Sequence, residues 1–308
     1  MEEQNFNSFH ILSSNQSRLI RKVTIMIVQN KLDRTSVNQI ERIYKPSLEE
    51  FKKKIFSSRK PVIITGKMTD WKALSSWSIE YLNRVVGHKE IDVNFSNNKV
   101  FNFDPENQFT IASKKMKFTD FMDWIVQKKT TDKYYYLQQS SIKTSFPELI
   151  SDIEVPDYID PKLLIITNLW IGAGGNVSQL HYDMPENLLS QVRGRKRILL
   201  FEPKQTSFLY PFPAHSKIPH MSRLNLDQPD AKKFPKFQKA KYTECILEPG
   251  EMLFIPAFWW HQVYSLDMLN ISINFWWKTN FKEYFAPSGR RLIAQVPGLI
   301  WQSLKRKR

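Results

Sequence analysis

The chain reads as a mainly β fold with flanking helices, and three observations predict it. From about residue 163 to residue 277, short apolar runs alternate with polar or glycine-containing turns, the pattern of short strands in a barrel. Between Ser47 and Val126 several apolar residues recur at helical spacing instead. With 308 residues, 42% of them hydrophobic and nine tryptophans, the chain can bury one large core and has little left for a second independent fold.

Taken in order, residues 1–45 are polar and read as an extension ending near Lys45-Pro46. Within it, residues 23–28 form an apolar run of only six, a short strand or buried segment far below the roughly 20 residues of a membrane span. The acidic, polar start argues against a secretory signal. Residues 46–160 read as an α/β part packed on the barrel. Ser47-Leu48-Glu49-Glu50-Phe51 starts its first helix, with Ser47 as cap and Glu50 at the capping-box position. Residues 61–66 form a first strand, Ser78-Ile79-Glu80-Tyr81-Leu82 opens a second helix, and residues 118–126 form a third. The barrel occupies 161–280. Residues 281–308 form a helical segment with a basic tail, in which an amphipathic helix over 289–305 is interrupted at Pro297-Gly298.

The net charge is +15, spread over Lys52-Lys53-Lys54, the lysines of 232–241 and Lys305-Arg306-Lys307-Arg308. Such charge steers encounter with an acidic partner without specifying one, and a solvated lysine-rich surface explains it equally well. No helix-turn-helix, zinc-finger or RNP-type motif accompanies it. A single cysteine, Cys245, excludes an internal disulfide and suits a reducing, cytoplasmic compartment.

The chemistry starts at His181-Tyr182-Asp183. On a strand His181 and Asp183 face the same way while Tyr182 points off, so the pair can grip one ion. His261 is expected to close the strand-like run Glu251-Met252-Leu253-Phe254-Ile255 and to reach the same ion across a barrel. Two imidazoles and one carboxylate fill half an octahedron, the arrangement of non-haem Fe(II) oxygenases. Zinc with three protein ligands and a water is the rival, and a packed core histidine is the plain alternative. Between the motifs, residues 186–201 read as strand, tight glycine turn, strand. If the return strand runs beside the one carrying Asp183, Lys196 brings its ammonium inside as a point charge for a carboxylate. Otherwise it is a surface lysine in the basic turn with Arg193, Arg195 and Arg197.

Asn168-Leu169-Trp170-Ile171-Gly172-Ala173-Gly174-Gly175-Asn176-Val177-Ser178, followed by His181-Tyr182-Asp183 and Arg193-Gly194-Arg195-Lys196, resembles the JmjC/cupin 2-oxoglutarate oxygenases. Phe258-Trp259-Trp260-His261, Asn274-Phe275-Trp276-Trp277, Leu209-Tyr210-Pro211-Phe212-Pro213 and Tyr136-Leu137-Gln138-Gln139 extend the likeness to the protein asparaginyl hydroxylases of the type that inhibits hypoxia-inducible factor. The resemblance implies a double-stranded β-helix, Fe(II), and 2-oxoglutarate and O₂ as co-substrates. It implies His181, Asp183 and His261 as iron ligands, and Tyr136, Ser178 and Lys196 as holders of the distal 2-oxoglutarate carboxylate. Asn187 and Asn274 would line the co-substrate pocket, and Gln138 and Trp276 the substrate side. His220 and Met221 stand where those hydroxylases hold the target amide with arginine and glutamine, and Asn102 replaces a substrate-side tyrosine.

The resulting expectation is a dioxygenase that hydroxylates asparagine or a related residue at its β-carbon in a target protein, met as an extended peptide or an ankyrin-repeat-like segment. An RNA-directed JmjC-type hydroxylase and a non-catalytic protein-binding module are the alternatives. Nucleic acid is the less favoured partner, no membrane is expected, and the chain should be a monomer or a weak homodimer. Its lysine- and asparagine-rich composition would also fit delivery into a host cell.

Overall fold

The computed structural model describes residues 40–101, 112–127 and 133–293. The apolar run at 23–28, Asn102, the break at Pro297-Gly298 and the basic tail lie outside them. Of the expected polar extension, Arg42–Tyr44 forms strand β1, paired in parallel with β2 (Val62–Thr65). Ser47 caps the first helix as its sequence demands: Ser47 Oγ accepts from the Glu50 N–H and the Glu50 carboxylate accepts from the Ser47 N–H. That helix begins at Leu48–Glu50 and continues as a π-helical turn, Phe51–Phe56. Helices Ile79–Val86, capped by Ser78, and Phe118–Gln127 stand where the periodicity puts them.

The remaining strands are β3 (Glu90–Ser96), β4 (Val100–Phe101), β5 (Ser113–Lys117), β6 (Tyr134–Ser141), β7 (Leu164–Ala173), β8 (Val177–Tyr182) and β9 (Glu186–Arg193), then β10 (Lys196–Phe201), β11 (Thr243–Leu247), β12 (Met252–Ile255), β13 (Trp260–Ser265) and β14 (Leu269–Trp277). They build two sheets, one in the order β1-β2-β12-β9-β14-β7-β6-β3-β5 and the other β11-β10-β13-β8-β4. Alternation sorts each strand between two environments. On β14, Ile271, Ile273, Phe275 and Trp277 pack with Phe51, Trp71, Trp77 and Phe118 in the core under the helices, while Asn274 and Trp276 face a cavity between the sheets. A second core, including Leu189, Ile198, Leu200, Leu253 and Val263, joins the two sheets. The architecture is a double-stranded β-helix with helices covering the outer face of the larger sheet.

One expectation holds with a qualification, and two are corrected. Residues 186–201 do form strand, turn and strand, with Gly194 at φ +66 making the reversal. The two strands do not pair, however. β9 joins the large sheet and β10 the small one, so the turn is a corner between sheets. Nor does β10 run beside the strand leading to Asp183; β13 lies between them. Finally, His261 does not close the 251–255 run. That run ends at Ile255, and His261 lies on the next strand after a four-residue turn.

Candidate metal centre and its cavity

β13 runs antiparallel to β8 and sets His261 directly across from His181, with ring centroids 4.3 Å apart. Past this pair the register slips, so that Val263 faces Ser178: three residues of β8 match two of β13. The spare Leu180 N–H is met by Gln262 Oε1 at 3.1 Å. Residues three apart on a regular strand face opposite sides; this bulge turns Ser178 and His181 to the same wall.

Asp183 follows β8 and completes the set. Its Oδ1 lies 3.8 Å from His181 Nε2 and its Oδ2 lies 3.6 Å from His261 Nε2. One ligand atom from each of the three falls within 4.8 Å of the others, a group able to hold a metal ion. Both imidazoles are oriented from behind, with Nδ1 of His181 on the Gln179 carbonyl at 2.6 Å and Nδ1 of His261 on the Trp259 carbonyl at 3.0 Å. A carbonyl only accepts, so each Nδ1 carries the proton and each Nε2 presents its lone pair to the centre. Burial, with His181 adding to it, pushes the His261 imidazole down to about 4, so it stays neutral and competent as a ligand.

A polar chain supports the carboxylate. Asn187 Nδ2 donates to Asp183 Oδ2 at 3.1 Å, Asn274 Nδ2 to Asn187 Oδ1 at 3.2 Å, and Trp170 Nε1 to Asn274 Oδ1 at 2.8 Å. Lys196, 2% exposed, donates to the Tyr136 hydroxyl at 3.1 Å. Gly172 makes room for that tyrosine, since a Cβ there would come within 2.7 Å of its ring. Among the described residues no carboxylate pairs with Lys196. A buried ammonium satisfied by one hydroxyl calls for an anion, and Ser178 lines the same recess. The donors therefore fit the iron and co-substrate that the sequence resemblance implies: two imidazoles, one carboxylate, and a buried cation deeper in the barrel.

An outer cavity of about 490 Å³ adjoins this recess and is lined by Gln138, Trp276, His220 and Met221 together with His181 and Asp183. Gln138 Oε1 and Trp276 Nε1 are buried without a hydrogen-bonding partner. Met221 bridges His181 through the backbone, and the His220 carbonyl accepts from the Tyr182 N–H at 3.1 Å, which fixes this loop against β8. Burial lowers the His220 imidazole to about 4, with His181 contributing. Every described candidate thus lines the two connected spaces. Sequence reasoning missed Gln139, Asn94 and Phe101, which also line the outer cavity. Gln139 sits at φ +49 in a bulge of β6, where the register to β7 breaks; it belongs to the Tyr136–Gln139 stretch that carries the resemblance, which gave it no role at the site.

Comparison with known proteins agrees with this geometry. The cupin-like domain family matches residues 47–283. The chain is 36% identical over 249 residues to lysine-specific demethylase 8 of Xenopus tropicalis, covering 79% of this chain and 53% of that protein. It is 35% identical over 234 residues to lysine-specific demethylase JMJ30 of Arabidopsis thaliana, covering 75% and 53%. With human tRNA wybutosine-synthesizing protein 5 it shares 31% identity over 257 residues, 78% of each chain. The chain spans about half the length of the two demethylases it matches. Family match, fold and donor set agree, and the chain belongs to the cupin-like, JmjC-type family of 2-oxoglutarate-dependent oxygenases.

Proposed function

We propose that the protein is an Fe(II)- and 2-oxoglutarate-dependent hydroxylase of a protein side chain, with asparagine or a residue of similar reach as its target. The observation that carries the oxygenase reading is the pairing of a two-histidine, one-carboxylate cluster with a buried Lys196 that has no carboxylate partner. His181, Asp183 and His261 would hold iron through Nε2, Oδ and Nε2. Lys196 and the hydroxyls of Tyr136 and Ser178 would take the far carboxylate of 2-oxoglutarate by charge-assisted hydrogen bonds. When bound, the iron and its co-substrates supply oxidative decarboxylation coupled to hydroxylation of a C–H bond. The chain's own part is positional. Asn187 holds the Asp183 carboxylate, the backbone carbonyls hold the imidazoles, and the apolar walls from Trp170, Met221 and Trp276 restrict water. Gln138 Oε1 and Trp276 Nε1, an unused acceptor and an unused donor, suit an amide-bearing target.

A second reading, action on tRNA, draws on the relative matched over 78% of both chains and on the net charge of +15. An experiment that separates the readings is succinate release by the iron-loaded protein with three panels: asparagine-containing peptides, methyl-lysine peptides and unfractionated tRNA. Stimulation by the first alone, with a +16 Da product, supports the proposal. Stimulation by tRNA alone, or demethylation of lysine, replaces the target. Absence of 2-oxoglutarate turnover under any condition favours a non-catalytic binding module.

A further inference from the structure

The turn between β12 and β13 grips both sides of the candidate metal centre. Phe258 sits at φ +68, a left-handed conformation uncommon for a residue with a Cβ. Its N–H donates to the Asp183 carbonyl at 2.8 Å. The neighbouring Trp259 carbonyl receives His261 Nδ1 at 3.0 Å. The preceding Ala257 N–H donates to Glu186 Oε2 at 3.0 Å. Three consecutive residues are thus bonded to one ligand, to the other ligand and to a buried carboxylate.

Glu186 is fully buried. Its Oε1 lies 2.8 Å from Arg59 Nη1 and also accepts from the Thr279 hydroxyl. Arg59 is placed by charge and packing rather than by aligned hydrogen bonds, since none of its guanidinium nitrogens makes one. Its Nε lies 3.2 Å from Glu283, its guanidinium rests 5.2 Å from the Phe56 ring centre, and its carbonyl accepts from Trp259 Nε1 at 2.9 Å. Arg59 itself has φ +52. The links close a circuit from Arg59 through Glu186 to Ala257, along the turn to Trp259, and back to Arg59.

An ion pair taken out of water is a poor way to gain stability, because desolvation offsets much of the attraction and apolar packing often does as well. Left-handed non-glycine residues persist where their surroundings over-determine them, and they gather at functional sites. Here two of them, far apart in the chain, meet through Trp259 on the element that orients Asp183 and His261.

We propose that the Arg59–Glu186 ion pair is a positioning device for the metal centre, holding residues 256–259 so that Asp183 and His261 present their ligand atoms together. The proposal rests on the metal reading of the triad. Neither residue touches the ion; both act through the turn.

The test is titration of the purified, metal-free protein with Co(II), read by its visible absorption bands, with thermal unfolding in parallel. Wild type should bind one equivalent, and Asp183→Ala should lose it. Loss of an outer-shell partner commonly weakens metal binding about 10- to 100-fold. Arg59→Met is expected to fall in that range and to change the Co(II) band pattern. Asp152→Asn, which breaks the buried cluster of Asp152 with Lys72, Trp77 and Tyr81 elsewhere in the fold, should lower the unfolding temperature and leave the Co(II) affinity and band pattern unchanged. Thr279→Val removes one hydrogen bond from Glu186 and should weaken binding by a smaller factor; it serves if Arg59→Met fails to fold. Wild-type affinity and spectrum in a folded Arg59→Met or Thr279→Val protein would reduce the pair to a structural brace and overturn the proposal. Failure of wild type to bind Co(II), or binding indifferent to Asp183→Ala, would instead overturn the metal centre itself.

Discussion

Lys196 reaches across the barrel to Tyr136, Nζ to Oη 3.1 Å, from the small sheet to the large one. β10 and β6 share no ladder, so this contact is made only when the two sheets have closed on each other. The ammonium is 2% exposed and among the described residues it meets no carboxylate. A charge in that position is unfavourable for the empty protein and useful to a bound dianion.

The corresponding prediction concerns Lys196→Met, which keeps the stem and removes the charge. A hydrogen bond to a charged group contributes about 1.5–3 kcal/mol, so the 2-oxoglutarate concentration needed for half-maximal turnover should rise at least tenfold. Thermal unfolding supplies a second readout. A ligand at about 100 times its Kd stabilises by roughly 2.7 kcal/mol, so 2-oxoglutarate with Mn(II) should raise the wild-type midpoint and leave the variant's nearly unmoved. Equal co-substrate dependence in both proteins would remove Lys196 from the site.

Asp183→Ala tests the centre directly. It deletes the only anionic member of the triad and the acceptor of the Asn187 amide. Metal affinity should fall by more than the roughly 10- to 100-fold typical of outer-shell losses, and 2-oxoglutarate turnover should vanish. The fold should survive, because the carboxylate faces a cavity. Succinate assays and circular dichroism on the same preparation check both halves; turnover in the folded variant would sink the assignment.

Away from the cavity, Asp152 is a buried hub. Lys72 Nζ, Trp77 Nε1 and the Tyr81 hydroxyl reach its carboxylate at 2.9, 2.9 and 2.6 Å. Burial opposes the charge, but the three donors outweigh it and hold the group below its ordinary value of 3.8. A carboxyl depressed on folding contributes stability above its unfolded value, and that contribution is lost as pH falls through the folded one. Asp152→Asn should therefore be destabilising by about 1–3 kcal/mol at neutral pH. The gap should narrow as pH drops below 3.8, which urea titrations at a series of pH values would measure. A gap independent of pH would show that the cluster is held by shape rather than charge.

Much of this was legible in the sequence because it rests on local rules. The Ser47 capping box, the helices at 79–86 and 118–127, and the two-residue spacing of His181 and Asp183 follow from residues close in the chain. What sequence reasoning misplaced depends on which sheet a strand joins. The Gly194 turn looks like a hairpin, yet it is a corner between sheets: β9 packs Leu188 and Val192 into the core under the helices and Leu189 into the core between the sheets, where Ile198 and Leu200 of β10 meet it. The bulge that brings Ser178 round to the wall of His181 arises from pairing with β13, so nothing in β8 alone marks it. The role of Phe258 was equally hidden, since φ +68 at a bulky aromatic residue goes against its own preference and is set by long-range contacts.

The last prediction concerns the target side chain and rests on His220 and Met221. Both line the outer cavity beside His181. Met221, 4% exposed, offers soft apolar volume and a weak acceptor rather than amide or guanidinium donors. A site built to hydrogen-bond a group rejects analogues lacking it by large factors, and that rejection weakens when its polar partners are replaced. Gln138 Oε1 and Trp276 Nε1, one acceptor and one donor, are the buried atoms of the described wall without a hydrogen-bonding partner, with Asn94 and Gln139 as further polar side chains beside them. Discrimination for a primary amide should then be shallow, about 10- to 200-fold on the scale of a fit set chiefly by apolar contacts. Aspartate, histidine or less polar residues at the target position should be turned over at measurable rates. His220→Arg combined with Met221→Gln should shift preference towards asparagine, provided the enlarged polar side chains are accommodated, which the unfolding midpoint reports. A peptide panel varied only at the target position decides the matter: strict asparagine selectivity in the unaltered protein, unchanged by the double substitution, would show that these two residues do not read the substrate.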